Sequence, residues 1–200
     1  MAQTWDDLLF SHRRGDAEAL RRHLPDGLQL EEHDGSAWLG IVFFRVRALR
    51  ARGALPVPGI WFFSLDASSA LAAEAARRLY KLPYFRADIT LERRAGRIFY
   101  ECVRDEKSAF SGSYKAAGAA FQAEATSLEH FLTERYCLYA AERGRLYRAE
   151  IHHRPWALRP AEATIDLNTM PPDDIGLDGA PLLHYSGQQD VVIWPLRAVT

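Results

Sequence analysis

From Arg145 to Trp156 the chain reads RLYRAEIHHRPW. In an extended strand, residues two apart share a face. Leu146, Arg148, Glu150 and His152 therefore form one row, and Tyr147, Ala149, Ile151 and His153 form the other. The first row sets a guanidinium, a carboxylate and an imidazole about 7 Å apart. Facing a cavity, it would bind an anion through Arg148 and move protons through Glu150 or His152, the two candidate acid–base residues. Facing water, it would be a solvated ladder. The second row reads as core, with His153 a hydrogen-bonded residue at the strand end.

Further polar candidates have the same two readings. Glu134 and Arg135 stand where a short helix hands over to a hairpin. Arg135 there either complements the helix dipole or, paired with Glu134, aims at a ligand. Arg45 and Arg47 follow Ile41 and Phe43 on one strand face, as in a cavity wall with a polar mouth or a strand leaving the core. Tyr84, Trp156 and Tyr185 are aromatic and would wall an apolar pocket or simply fill the core. The expected ligand contacts are thus Arg45, Tyr84, Glu134, Arg135, Arg148, Trp156 and Tyr185.

Composition excludes several function classes. Net charge is −1 over 200 residues, which leaves no footprint for nucleic acid or an anionic membrane. Lysines are restricted to Lys81, Lys107 and Lys115, so imine chemistry has three candidate amines. There is no phosphate-binding glycine loop, no nucleophile elbow and no metal-ligand spacing. His152 and His153 are adjacent, so a strand sends them to opposite faces. No metal or cofactor is expected. Cys102 and Cys137 lie in apolar runs and read as buried thiols of a reducing compartment. With no secretory leader and no spanning apolar run, the expected location is the cytoplasm.

The elements that must position these residues are mostly strands. Asp16 caps a brief helix through His23. Asp34-Gly35 turns a hairpin between strands 28–32 and 37–49. A loop with Pro56 and Pro58 leads to an apolar strand at 60–65. A helix over 66–80 follows, its buried stripe being Leu71, Ala75 and Leu79. Strands at 85–91, 98–104 and 108–115 come next, the first two joined by an Ala95-Gly96 turn. Thr126 and Glu129 form a capping box for a helix to about 134. A hairpin around Glu142-Arg143-Gly144, a strand at 161–167, and two last strands at 181–185 and 191–196 complete the count. That pattern is α+β, mainly β: a curved antiparallel sheet or barrel with about three flanking helices.

Five runs, WFFSLDA (61–67), ARRLYKLPYF (76–85), LEHFLTERYCLY (128–139), EIHHRPW (150–156) and DVVIWP (190–195), together with WDDLLFSH (5–12), resemble the YqjF-like family of uncharacterised bacterial proteins. The resemblance covers nearly the whole chain, as one domain over 1–200. That family is similar in fold to the acetoacetate decarboxylase superfamily, which implies a curved antiparallel barrel around a small-molecule cavity. The decarboxylases carry paired lysines after a proline. Here Tyr84 and Phe85 follow Pro83, so the resemblance implies no Schiff-base decarboxylation. Family members also carry a longer segment before WFFSLDA, whereas here Pro58-Gly59 runs straight into Ile60. The domain is therefore expected to be shortened near residues 59–60, with a sheet edge covered by a loop or by a second subunit.

The leading expectation is a protein that binds a small, partly apolar and anionic molecule. The alternative is a non-catalytic interaction protein, self-associating or not, whose barrel is filled with side chains. A weaker alternative is a lysine-dependent decarboxylase or aldolase using Lys81.

Overall fold

The computed structural model describes residues 2–50 and 59–199. The expected loop with Pro56 and Pro58 lies outside them. The first strand, β1 (Ala2–Gly15), is buried without a break from Asp6 to His12. Unbroken burial means that both faces of β1 are covered, which is why this stretch does not alternate like a half-exposed strand. Asp16 then caps α1 (Ala17–Arg22), its carboxylate accepting from the Ala19 N–H at 2.6 Å. The chain returns in β2 (Ala37–Arg50), antiparallel to β1.

Past the undescribed segment come β3 (Gly59–Trp61), β4 (Leu65–Ala67), α2 (Ala70–Tyr80) and β5 (Tyr84–Arg86). The meander β6 (Asp88–Arg94), β7 (Arg97–Val103) and β8 (Ala109–Ala116) follows. Then come α3 (Leu128–Thr133), the hairpin β9 (Cys137–Glu142) and β10 (Arg145–His153), β11 (Arg159–Asn168), β12 (Leu177–Ile193) and β13 (Arg197–Ala198).

Eleven strands join one sheet through β12. One edge of β12 pairs with β1 over almost its whole length. The other edge is shared, taking β11 at His184 and Tyr185 and β10 from Val191 to Ile193. Among the described residues the sheet curves without closing, since no ladder joins β2 or β3 to β6. The β1–β2 face packs on β6–β8 around Leu9, Phe43, Tyr100, Phe110 and Tyr114. A second core lies between α2 and β9, β10 and β12, centred on Tyr80, Leu138, Ile151 and Val191. The opposite face of β1 buries Leu8 and Phe10 against Trp156 and Leu158. No helix among the described residues is long and apolar enough to cross a membrane.

Turn chemistry reads through faithfully. Asp34/Gly35, Ala95/Gly96 and Arg143/Gly144 all have positive φ, as two-residue hairpin turns demand. Other expectations need correction. Residues 28–32 form no strand, because only the His33–Ser36 bridge closes that turn. The 60–65 run splits into β3 and β4, each in a separate sheet. The two last strands are one, β12, and Pro181 is tolerated within it. Ser127, not Thr126, caps α3, accepting from the His130 N–H at 3.2 Å. The stripe Leu71, Ala75, Leu79 faces outward, and α2 instead buries Ala73 and Tyr80. Both cysteines are free and buried.

Gly112 allows β8 to lie against β11, since a β-carbon there would stand 2.6 Å from the Thr164 carbonyl oxygen. Gly112→Ala should destabilise the protein by about 2 kcal/mol, an overpacking cost that backbone must absorb. Thermal unfolding should show a drop of roughly 4–8 °C for a chain of this size.

Candidate functional site

Two adjacent carboxylates interrupt the apolar run of β1. The register of β1 against β2 shifts between Asp6 and Leu9, and Asp7 takes a left-handed φ of 58°. A non-glycine residue held there costs on the order of 1–3 kcal/mol, and such bulges collect at functional positions. Asp7 is 2% exposed, so its charge must be matched within the fold. Arg93 of β6 supplies the match, its Nε donating to Oδ2 at 3.1 Å and its Nη2 to Oδ1. Tyr185 of β12 donates to Oδ1 at 3.0 Å, and Tyr114 of β8 donates to the Asp7 carbonyl at 2.7 Å. Asp6 is paired with Arg47, whose Nη2 donates to Oδ1 at 2.7 Å. Arg45, opposite Asp6 in the ladder, reaches across to the Leu91 carbonyl at 3.4 Å.

The electrostatics keep the hydrogen-bond donors of this cluster protonated. Burial, then the bond to Asp7, pushes the Tyr185 phenol up to about 12. Burial likewise raises Tyr114, with Asp7 adding to it. Hydrogen bonds to the carboxylates raise the guanidiniums of Arg47 and Arg93. Both phenols therefore remain donors and both arginines remain cations at neutral pH. The carboxylate ends are buried, whereas the side chains of Arg47 and Arg93 are 62% and 65% exposed. Arg45 is exposed beside them. The geometry is a cationic rim whose inner ends are locked by buried acids.

Of the expected contacts, Arg45 and Tyr185 lie in this cluster and the others do not. Glu134 is a latch: Oε1 accepts from the Trp156 backbone N–H at 2.9 Å and Oε2 accepts from the Tyr136 hydroxyl. Trp156 is core, its indole N–H donating to the Thr133 carbonyl at 2.9 Å and its ring centroid lying 5.0 Å from that of Phe10 in a T-shaped contact. Arg135 closes α3, donating to the Phe131 carbonyl at 2.6 Å and pairing with Glu31. Tyr84 is half-buried beside the α2 core, and burial raises its phenol, with Tyr80 adding to it. The Arg148 row lies on the face of β10 opposite Ala149 and Ile151, which fill the second core. There His152 is exposed and Arg148 is 37% exposed. Glu150 alone of the three is buried, 3.9 Å from Arg148, with Oε2 lacking a hydrogen-bond partner among the described residues.

Sequence reading passed over Asp6, Asp7, Arg93 and Tyr114. The available signal was the acid pair inside an apolar run, since charges within a buried strand require partners. Lys81, the candidate amine, lines an open groove of ≈420 Å³ with Trp61, Phe62, Pro83 and Tyr139. It is paired there with Glu142 and stands 5.2 Å from the Tyr147 ring. Across β2, β1 and β12, one sheet face carries Trp38, His12, His184 and Ser186. Each has a buried nitrogen or oxygen with no hydrogen-bond partner among the described residues. Burial, then His184 and Arg135, pushes the His12 imidazole down to about 3. Burial also lowers His184 and His153.

Comparison with known proteins places this architecture. The model of the DUF2071 family, described as an uncharacterized conserved protein, matches residues 2–60 and 56–190. The uncharacterized protein YqjF of Bacillus subtilis (strain 168) is 42% identical over 223 residues, covering 98% of this chain and 91% of its own. Among solved structures, the enduracididine biosynthesis enzyme MppR complexed with pyruvate superposes with a TM-score of 0.67 at 14% identity. That match covers 100% of this chain and 90% of that one. Acetoacetate decarboxylase from Legionella pneumophila gives a TM-score of 0.68 at 8% identity, covering 100% and 88%. These likenesses establish an acetoacetate decarboxylase-like fold.

Acid should weaken the fold through its buried imidazoles. The unfolded chain takes up protons below about pH 6.5, whereas folded His12 stays neutral down to about 3. Stability therefore falls as pH drops through that window, by up to about 1.4 kcal/mol per pH unit for each such group. Thermal melts between pH 7 and 5 should show this decline, and His12→Gln should flatten it. Ser186→Ala removes an unsatisfied buried hydroxyl and should raise the melting temperature, a gain of about 1 kcal/mol.

Proposed function

This chain belongs to the DUF2071 family, and from that premise we propose that it binds a small, partly apolar carboxylate at the cationic rim beside Asp7. The observation that carries the reading is the pairing of exposed guanidiniums with buried acids at a left-handed bulge. Asp6 and Asp7 orient Arg47 and Arg93, and Arg45 stands next to them without a carboxylate partner among the described residues. A planar carboxylate accepts two parallel N–H bonds from one guanidinium, so Arg45 makes the first contact. Tyr185 orders the inner wall through Asp7. The pyruvate complex of MppR, a protein of the same fold, supports a small carboxylate as the ligand class.

The chemistry is binding without an imine. Tyr84 and Phe85 occupy the positions after Pro83, and Lys81 faces the Glu142 carboxylate rather than a second ammonium. An amine with no second ammonium beside it lacks the neighbour that activates such a nucleophile. The domain is one unit over 1–200, shortened near residues 59–60. Two observations support the shortening. The family matches meet at 56–60, and the alignment to the Bacillus relative is longer than this chain.

Pyruvate and related carboxylates should raise the melting temperature or give calorimetric binding. Arg45→Ala should weaken that binding about tenfold or more, equivalent to about 1.4 kcal/mol. Arg148→Ala should leave it unchanged. Absence of binding by any small carboxylate at millimolar concentration would instead favour an interaction protein with a filled interior. Borohydride reduction with pyruvate should leave the protein unmodified, and a mass increase on Lys81 would restore the amine mechanism.

A further inference from the structure

The ladder between β1 and β12 is interrupted at Arg13. His12 stands opposite Leu182 and Arg14 opposite Asp178, so Gly179, Ala180 and Pro181 together face the single residue Arg13. Bulges of this kind bend a strand and are enriched beside functional sites. Gly179 takes the left-handed φ of 68° that the bend requires, and Pro181 has no N–H to return to the ladder. A cavity of ≈410 Å³ lies against the bulge, at the end of the first core, where Ile41 and Ile165 extend the packing around Phe43. Leu39, Ile41, Ile165 and Leu177 are its apolar walls, and three polar side chains line it as well. Ser11 is 6% exposed and shares a sheet face with Ile41 and Leu183, its partners in the two ladders. Its hydroxyl has no hydrogen-bond partner among the described residues, a costly state for a buried donor. Asn168 accepts from the Met170 N–H at 3.3 Å through Oδ1, and its Nδ2 has no partner among the described residues. Arg13 is half-buried, its Nε and Nη2 donating to the Gly179 carbonyl at 3.1 and 2.7 Å. The guanidinium is thereby fixed on the bulge, yet it has no ion-pair partner among the described residues. Asp178, the acid beside the bulge, stands opposite Arg14 and accepts from the Gly179 N–H at 2.8 Å.

We propose that this cavity binds a monocarboxylate with an extended apolar tail, of the fatty-acid class. The carboxylate sits on Arg13 and the tail runs along the leucine and isoleucine walls. The head group follows from charge. A half-buried guanidinium at the edge of an apolar space, with no internal anion, is matched by an anionic ligand. The Nη1–Nη2 end of the fork, which the Gly179 contacts leave open, fits the two oxygens of a planar carboxylate. Ser11 and Asn168 supply neutral donors beside it. The tail follows from the walls. The volume falls within the roughly 300–1,000 Å³ of small-molecule sites, and most of the lining is aliphatic, so burial of hydrocarbon drives binding. A two- or three-carbon acid would leave those walls empty. This site is separate from the rim beside Asp7. Arg13 and Asp6 lie on the same strand roughly 20 Å apart, so the two readings stand or fall independently.

Calorimetric titration of the full chain with octanoate up to about 1 mM should show saturable binding. Butyrate, which lacks the tail, and octan-1-ol, which lacks the charge, should each bind about tenfold more weakly or worse. Arg13→Gln should weaken octanoate by about tenfold or more. Because Arg13 also ties the bulge, a second variant leaves that tie alone. Ser11→Leu places an aliphatic side chain in the cavity and removes the unpartnered hydroxyl. It should keep the wild-type circular dichroism and lose octanoate affinity by a similar factor. An octanoate analogue carrying a diazirine at its tail should, on irradiation, label the peptides that hold Leu39 and Ile41 or Ile165 and Leu177. Four results would each overturn the proposal. They are no octanoate binding by the folded wild type, octan-1-ol binding as tightly as octanoate, wild-type affinity in either folded variant, or labelling confined to the strands around Arg45 and Arg93.

Discussion

Because β1 is buried on both faces from Asp6 to His12, the two carboxylates within it, Asp6 and Asp7, must be matched by partners in the fold. That requirement organises the fold. Strand β1 pairs along its whole length with β12 on one edge and β2 on the other. Its two faces serve different cores, Leu9 facing the β6–β8 layer and Leu8 and Phe10 facing Trp156. The Asp7 bulge stands between those faces. Its carboxylate draws Arg93 from β6 and Tyr185 from β12, and its carbonyl draws Tyr114 from β8. One strained residue thus ties three strands of an open, curved sheet.

The same requirement decides where chemistry is available. The two main cores are packed largely with aromatic and aliphatic side chains, His12, His184 and Ser186 are buried on the other face of β1 and β12, and Arg45, Arg47 and Arg93 reach solvent at the rim. Arg47 and Arg93 are anchored by buried acids and present their outer ends to water. The Arg148 row, by contrast, sits on the far side of β10 from the core, with the His152 imidazole in solvent. Its alternation was read correctly, and so was the core side of the strand, the face of Ala149 and Ile151.

The sequence made local features legible for local reasons. Asp16 accepts from the N–H three residues on, and Arg143-Gly144 adopts positive φ, because backbone geometry over four residues needs no distant partner. The α2 stripe failed on the opposite ground. A helix with two apolar faces does not say which one meets the core, and here Tyr80 rather than Leu79 found it. The β12 strand was divided because Ser186 to Asp190 is polar. Those residues stay extended because β1 supplies the ladder from Thr4 to Leu8. Glu134 looked like a ligand contact since a helix end with an acid and an arginine serves both purposes. Its use as a latch depends on Trp156, twenty-two residues away.

Residue type and spacing alone set the strand-rich class, the two-residue turns, the Asp16 cap and the family resemblance, since each depends on short-range sterics or on a pattern read in order along the chain. Tertiary structure decided which face of each element became interior, and so which charges were paired off and which were left at the rim. The reason is that burial is a property of contact between distant segments. Asp7 becomes demanding only when β6, β8 and β12 close over it, and nothing within its own neighbourhood along the chain encodes their arrival.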